Sequence, residues 1–483
     1  MFAVAAVVLL NAHVLTMSPA HPDATALAIV DGRIAYVGHD AAAARKAAGK
    51  GAETIDVGGR TVMPGFDDAH AHFGLQLTLG SDHGVDLPDG LSKREFVERV
   101  KRASAERADD RFLFVKTLHL PDGVARAGDL DFVTRPVFVI TSRGGLLNKR
   151  GLERGGFSAE EAPRGFVRGR ELATALDRLV KSLPLGTLEA GARAFLERLA
   201  RDGITSAQLI DELPDLFEGL RRRGQLTARL RMIPLGYRFD TRTYQPAWTG
   251  PAPEWLRVDG IKYFHDDGAR ITRHELADIF ELNVAASRQV IVHVLSRHAL
   301  DTLLDGIEAL AAAAGKPEAT RLFRIEHADE VTPEQAQRLQ RLGITVCSNP
   351  SMIPEWRSER AFPMRTLADA GVPLCIGTDF VGQHVPERPL EPMRSVELAV
   401  TRGGFGSSER ITTLQALTAY TAGSAAAEHM GSVKGTLETG KFADLIVLSA
   451  DPLLVPPEKL STVEVLLTMV GGRIVYRKPG STF

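Results

Sequence analysis

The sequence predicts an α/β protein built on a (β/α)8 TIM barrel, with a small β-sandwich domain assembled from both termini and an insertion after barrel strand one. Three observations predict it. Between Thr61 and Ala427, short apolar strands alternate with helical stretches, the pattern of a parallel sheet with helical crossovers. Both ends read instead as strands joined by tight turns. Polar residues that bind metals recur at the carboxyl ends of the expected barrel strands, the face where barrel active sites lie.

The elements follow in order. The chain opens MFAVAAVVLLNAHVLTM, with no Lys or Arg before Arg33. A signal peptide needs a cationic start, so this run reads as a buried strand entering a turn at Ser18-Pro19. LAIVDGRIAYVG reads as two strands joined by Asp31-Gly32, a strong hairpin signal. At the other end FADLIVLSAD and VLLTMVGGRIVYR are strand-like, with Gly471-Gly472 as a second hairpin turn. Neither end alone has enough core to stand as a sheet. Residues 1–60 and 428–483 are therefore expected to form one composite domain, and residues 61–427 the barrel.

The middle contains nine strand candidates: 61–66, 135–140, 203–210, 229–235, 259–264, 289–295, 321–327, 343–348 and 373–378. A closed barrel needs eight. The surplus one is RPVFVI (135–140), which shares the long interval after the first candidate with FLFVK (112–116). An insertion of about 73–199, lying over the barrel mouth, accounts for both. Helical apolar spacing marks 274–288, 299–315 and 332–343, the last with a capping start at Thr332.

Composition narrows the function. The 483 residues carry 58 Lys+Arg against 60 Asp+Glu, a net charge of −2. A near-neutral chain lacks the cationic field of a nucleic-acid binder. A charged content of 24% is ordinary for a globular protein. Two cysteines, Cys347 and Cys375, exclude a disulfide framework. No run of ~20 apolar residues suggests a membrane span. The expectation is a cytoplasmic enzyme acting on a small molecule, without nucleic-acid or membrane partners, with a homodimer as the expected assembly.

The histidines carry the chemistry. His70 and His72 follow the first strand in MPGFDDAHAHF, and an i, i+2 pair on extended backbone points to one side. Lys262 lies in DGIKYF, His293 in VIVHVL and His327 in FRIEH; Asp379 closes CIGTDF. Alone, each has an ordinary explanation: a core histidine, a helix cap, a snorkelling lysine. Together they place His, Lys, His, His and Asp at barrel strands one, four, five, six and eight, on one face. Imidazole and carboxylate suit zinc and related divalent metals.

These motifs, with VDGRIAYVG, LARDGITSAQ, RIEHADEV, GVPLCIGTDF and GKFADLIVL, resemble the amidohydrolase superfamily. The match is to its amidohydrolase-3 branch, which includes N-substituted formamide deformylases. The resemblance implies that His70, His72 and Asp379 hold the more buried metal and that His293 and His327 hold the second. It implies two Zn2+ ions bridged by Lys262 carrying a carboxyl group added by CO2. It further implies hydrolysis of a C–N bond in an amide, formamide or carbamate-like molecule by a metal-activated hydroxide, with Asp379 as general acid and base.

This sequence departs from the branch where substrate would sit. The fifth strand continues His293-Val-Leu-Ser-Arg297-His298, with Arg297 where relatives have an acid. Gly145 stands where many relatives have a histidine, in a stretch that begins at Arg143, and His265-Asp266-Asp267 replaces a single Asp before Gly. Arg143, Arg297 and His298 are therefore candidate contacts for an anionic substrate group. The alternative for Arg297 and His298 is that they cap the following helix or face solvent. Alternative functions are a cyclic-amide or ester hydrolase, or a mononuclear deaminase. Such deaminases carry His-x-x-Glu on the fifth strand, where this chain has Ser296. A non-catalytic binding barrel is the remaining class.

Overall fold

The computed structural model describes residues 6–74, 84–107, 111–117, 119–141, 144–210, 213–236, 252–267, 270–356, 358–379 and 391–481. Eight parallel strands form its centre. β1 (Phe66–Ala71) pairs with β2 (Ile204–Leu209), and β2 with β3 (Arg229–Met232). β3 pairs with Leu256–Val258, which continues past Gly260 into β4 (Ile261–Phe264); a Leu235–Lys262 bridge completes this step. β5 (Val290–Val294), β6 (Phe323–His327), β7 (Thr345–Ser348) and β8 (Leu374–Ile376) follow in register. β8 returns to β1 through the Asp379 N–H, which donates to the His70 carbonyl at 2.7 Å. The sequence of pairings is that of a TIM barrel.

Apolar cores lie between the strands and the helices that cover them. One joins β1 to β3 with the helix Leu185–Arg201; another joins β4 to β7 with the helices Arg273–Ala285 and Arg297–Ala313. Barrel interiors are usually filled by Val, Ile and Leu. Here Gln208, Arg231, Gln289, Arg324 and Glu326 are all buried, and they contact one another. A buried polar group is costly unless its hydrogen bonds are satisfied. Gln208 Oε1 meets this need by accepting from Arg324 Nη1 at 2.6 Å and from Arg231 Nη1 at 3.3 Å.

The terminal segments form two sheets that share one apolar core containing Leu9, Val14, Leu27, Val62, Leu445 and Leu467. Both expected hairpins occur. Asp31 and Gly32 adopt φ of 50° and 76°, and Gly471 and Gly472 of 55° and 73°, the left-handed pair that a two-residue hairpin turn requires. The candidate strand 61–66 is divided at Gly65. Thr61–Pro64 joins the six-stranded terminal sheet, pairing with His13–Leu15 and Leu445–Leu448, whereas Phe66–Ala71 enters the barrel. Both parts are buried on both faces, so hydropathy alone does not mark the handover.

The interval expected to be inserted contains its own five-stranded sheet, Gly84–Asp86, Leu113–Lys116, Val137–Thr141, Gly144–Leu147 and Phe166–Val167. Alternation along Leu113–Lys116 sends Leu113 and Val115 to one core and Phe114 to another. The surplus strand and FLFVK are therefore neighbours here. The last helix of that interval, Leu185–Arg201, packs in the barrel core instead. The helix Pro333–Leu342 begins at Thr332, whose side chain forms a capping box with Gln335. No helix among the described residues is long and apolar enough to cross a membrane.

Candidate metal centre

Four of the sequence-selected residues come from the two strands that meet at the β8–β1 junction and from β6. Asp68 locks this junction, accepting from the Thr378 N–H at 2.9 Å and the Thr378 hydroxyl at 2.6 Å. Gly377 permits the close approach: a Cβ there would stand 2.5 Å from the His70 amide nitrogen. His70 Nε2 then lies 3.2 Å from His72 Nε2 and 3.5 Å from Asp379 Oδ1, and His72 Nε2 lies 3.3 Å from the same oxygen. Three ligand-type atoms thus converge within a span that one cation can bridge.

His327 stands beside this cluster, its ring 5.1 Å from that of His70 and 4.5 Å from that of His293. Strand alternation alone does not bring it there, because Arg324 and Glu326 of the same strand already occupy the barrel interior. His327 and Ala328 take φ of 70° and 48°, and Asp379 takes 47°. Non-glycine residues adopt this conformation at a cost and do so at functional sites. The turn at the end of β6 re-aims the imidazole toward the cluster.

The charge states suit a cation. Burial, with the Lys262 charge second, pushes His70 down to about 3. His293 is held well below the ordinary histidine range by burial, then by His327 and Lys262; His327 is lowered, again chiefly by burial. Burial alone would raise Asp379, but His70, His72 and His327 hold it well below the usual carboxylate range. Neutral imidazoles and an ionised carboxylate are the ligand forms that metals require. At His70, His293 and His327, protons therefore compete with a metal only below the ordinary histidine value. On acidification, metal retention measured by dialysis and elemental analysis is expected to persist through about pH 6; release with a midpoint above that value would contradict these environments.

The ring nitrogens facing away from the cluster are tied down. His70 Nδ1 hydrogen-bonds to Glu326, which accepts from Arg324 Nε at 2.5 Å; Arg324 Nη2 also donates to the Ala69 carbonyl at 3.0 Å. His327 Nδ1 lies 2.9 Å from Asn349 Oδ1, and Asn349 Nδ2 donates to the Gly377 carbonyl at 2.8 Å. Donation from Nδ1 leaves the Nε2 lone pair free for a metal and fixes the ring. Sequence reasoning selected neither Glu326 nor Asn349. The available signal was an Arg and a Glu two apart in a strand otherwise reading as buried.

Lys262 is 1% exposed, and its Nζ has no hydrogen-bond partner among the described residues. Burial lowers its amine to about 8. A buried amine without an acceptor is costly, whereas a neutral lysine amine is reactive and a carboxylated one would be an oxygen ligand. The donor set therefore fits the expected metals.

Arg143 lies outside the described residues. Arg297 opens the helix Arg297–Ala313, whose cap is Ser296; its guanidinium lies 3.6 Å from Glu330, and His298 is exposed. Cys347 and Cys375 are buried cross-strand neighbours. Burial raises the Cys347 thiol well above its ordinary value, the reverse of an activated nucleophile.

An α/β barrel with imidazole, carboxylate and lysine at one mouth defines a class, the metal-dependent hydrolases. Residues 53–476 match the profile of the Amidohydrolase family; the chain belongs to that family and is a metal-dependent hydrolase acting on carbon–nitrogen bonds. It is 26% identical to an N-substituted formamide deformylase of Arthrobacter pascens, with 98% of each chain covered. It is 26% identical to an imidazolonepropionase of Paracoccus denitrificans over 87% of each. An uncharacterized metal-dependent hydrolase from Pyrococcus furiosus superposes with a TM-score of 0.70 at 25% identity, covering 93% of this chain and 100% of that one.

Proposed function

We propose that the protein hydrolyses an amide, formamide or carbamate-like small molecule at a centre of two zinc ions, with His70, His72 and Asp379 on one, His293 and His327 on the other, and carboxylated Lys262 between them. The observation that carries this reading is the convergence of His70, His72 and Asp379, with Lys262 buried and its Nζ without a hydrogen-bond partner among the described residues. When bound, the metals would supply a Lewis acid for the carbonyl and lower the pKa of water. The remaining work falls to the chain. Asp379, ionised, accepts the proton of the attacking water at a carboxylate oxygen and delivers it to the leaving nitrogen. Glu326 and Asn349 hold the imidazoles of His70 and His327 in orientation. The likeness to a formamide deformylase supports the formamide class, and the likeness to imidazolonepropionase keeps cyclic amides beside it. The same reading treats the two terminal sheets as a β-sandwich domain carrying the barrel.

A panel of N-formyl, N-acyl, carbamate and cyclic-amide compounds, assayed before and after chelation and with zinc restored, tests this function. Hydrolysis of one class, lost with the metal and regained with zinc, is the expected result. Undiminished hydrolysis by metal-free protein, or no hydrolysis of any compound by the zinc-loaded protein, would overturn it.

A further inference from the structure

β2 and β3 carry none of the candidate ligands, yet their inward side chains reach the metal centre. Ala207 and Leu209 pack outward in the apolar core shared with the helix Leu185–Arg201, so alternation turns Gln208 into the barrel, where it is fully buried. Its carboxamide has one orientation that suits its surroundings. Nε2 donates to the Ser424 carbonyl, at the start of the short helix Ser424–Ala427, at 3.3 Å. Oε1 is left for two guanidiniums, which can only donate. They are Arg324, through Nη1 at 2.6 Å, and Arg231, through Nη1 at 3.3 Å. Gln289 holds Arg231 in the same manner from the other side: its Nε2 donates to the Ala427 carbonyl at 2.7 Å, and its Oε1 accepts from Arg231 Nη1 at 2.8 Å.

From Arg324 the line to a candidate ligand is short. Its planar guanidinium is pinned at three points by three different nitrogens: Nη1 on Gln208, Nη2 on the Ala69 carbonyl at 3.0 Å and Nε on Glu326 at 2.5 Å. Glu326 in turn takes the hydrogen bond of His70 Nδ1. Without the Gln208 contact the guanidinium could pivot about the other two, and the Glu326 carboxylate would move with it. We propose that Gln208 is a positioning residue of the metal centre: by holding Arg324 it fixes Glu326, and through Glu326 the imidazole of His70. This deepens the metal-centre reading and rests on it. Orienting partners of this kind set metal affinity as well as ring geometry.

The test measures zinc affinity by chelator competition for wild type, Gln208→Asn and Gln208→Glu, with melting curves of the metal-free proteins beside it. Asparagine carries the same amide one methylene short, which withdraws the acceptor from Arg324. It is expected to weaken zinc binding by about tenfold, the low end of the range for a lost orienting partner, since Gln208 acts one contact further out. Glutamate keeps an acceptor at the same reach for both guanidiniums and is expected to bind zinc as wild type does. A merely structural role would lower the melting temperature and leave the zinc affinity of the folded protein unmoved. Gln208→Met, of similar length, takes the place of Gln208→Asn if that variant does not melt cooperatively. Zinc affinity unchanged in the folded asparagine or methionine variant would overturn the proposal and leave the metal centre standing. A glutamate variant as weak as the asparagine one would also overturn it, because the acceptor would not be the working part. If neither Gln208→Asn nor Gln208→Met folds, Gln208 is a structural residue and the proposal falls. Wild type that binds no zinc would sink the metal-centre reading itself, and this inference with it.

Discussion

Asp379→Asn is expected to lower kcat by about a thousandfold, within the range that general acid–base groups contribute. Asparagine keeps the shape and remains able to contact His72, 3.3 Å from the present Oδ1. It removes the proton acceptor and the negative charge that the surrounding imidazoles stabilise. The backbone link to His70 is unaffected, and asparagine tolerates the φ of 47° at this position. Folding should therefore survive, which a melting curve checks. Metal content should fall, since the cluster loses its anionic ligand. Activity within tenfold of wild type would mean that the proton passes through another group.

Glu326→Leu is expected to have the largest structural effect. Arg324 is fully buried and its Nε donates to this carboxylate at 2.5 Å. Removing one partner of such a pair costs about 3–5 kcal/mol, because the other charge stays buried and unmatched. His70 also loses its Nδ1 acceptor, and losing such an orienting partner weakens metal binding by about 10–100-fold. The double variant Arg324→Leu/Glu326→Leu separates the two effects. With both charges gone, stability measured by denaturant unfolding should recover in large part, whereas metal affinity measured by chelator competition should not. Recovery of both would show that Glu326 acts only as the partner of Arg324.

The legibility of these features in the sequence follows their physical range. The barrel strands were visible because each is a short apolar run between helices. The candidate metal ligands were visible because they recur at equivalent ends of those runs. The supporting residues depended on partners distant in the chain: Asp68 meets Thr378 across 310 positions, and His70 meets Glu326 across 256. A local pattern cannot show such pairings. Arg324 and Glu326 stood within the stretch that supplied His327, yet alternation alone left it open whether they faced core or solvent. Arg297 shows the opposite limit. Its place in the sequence pointed to substrate, but its guanidinium faces Glu330, from the next βα loop, at 3.6 Å.

The histidine–lysine–aspartate cluster is proposed to be a binuclear metal site. The most direct measurement is anomalous diffraction from crystals of the zinc-loaded protein. The expected result is two ions, one among His70, His72 and Asp379 and one at His293 and His327, with continuous density extending from Lys262 Nζ to both. A single ion with an unmodified Lys262 would contradict the binuclear centre, and the absence of any ion at these residues would contradict the metal site itself.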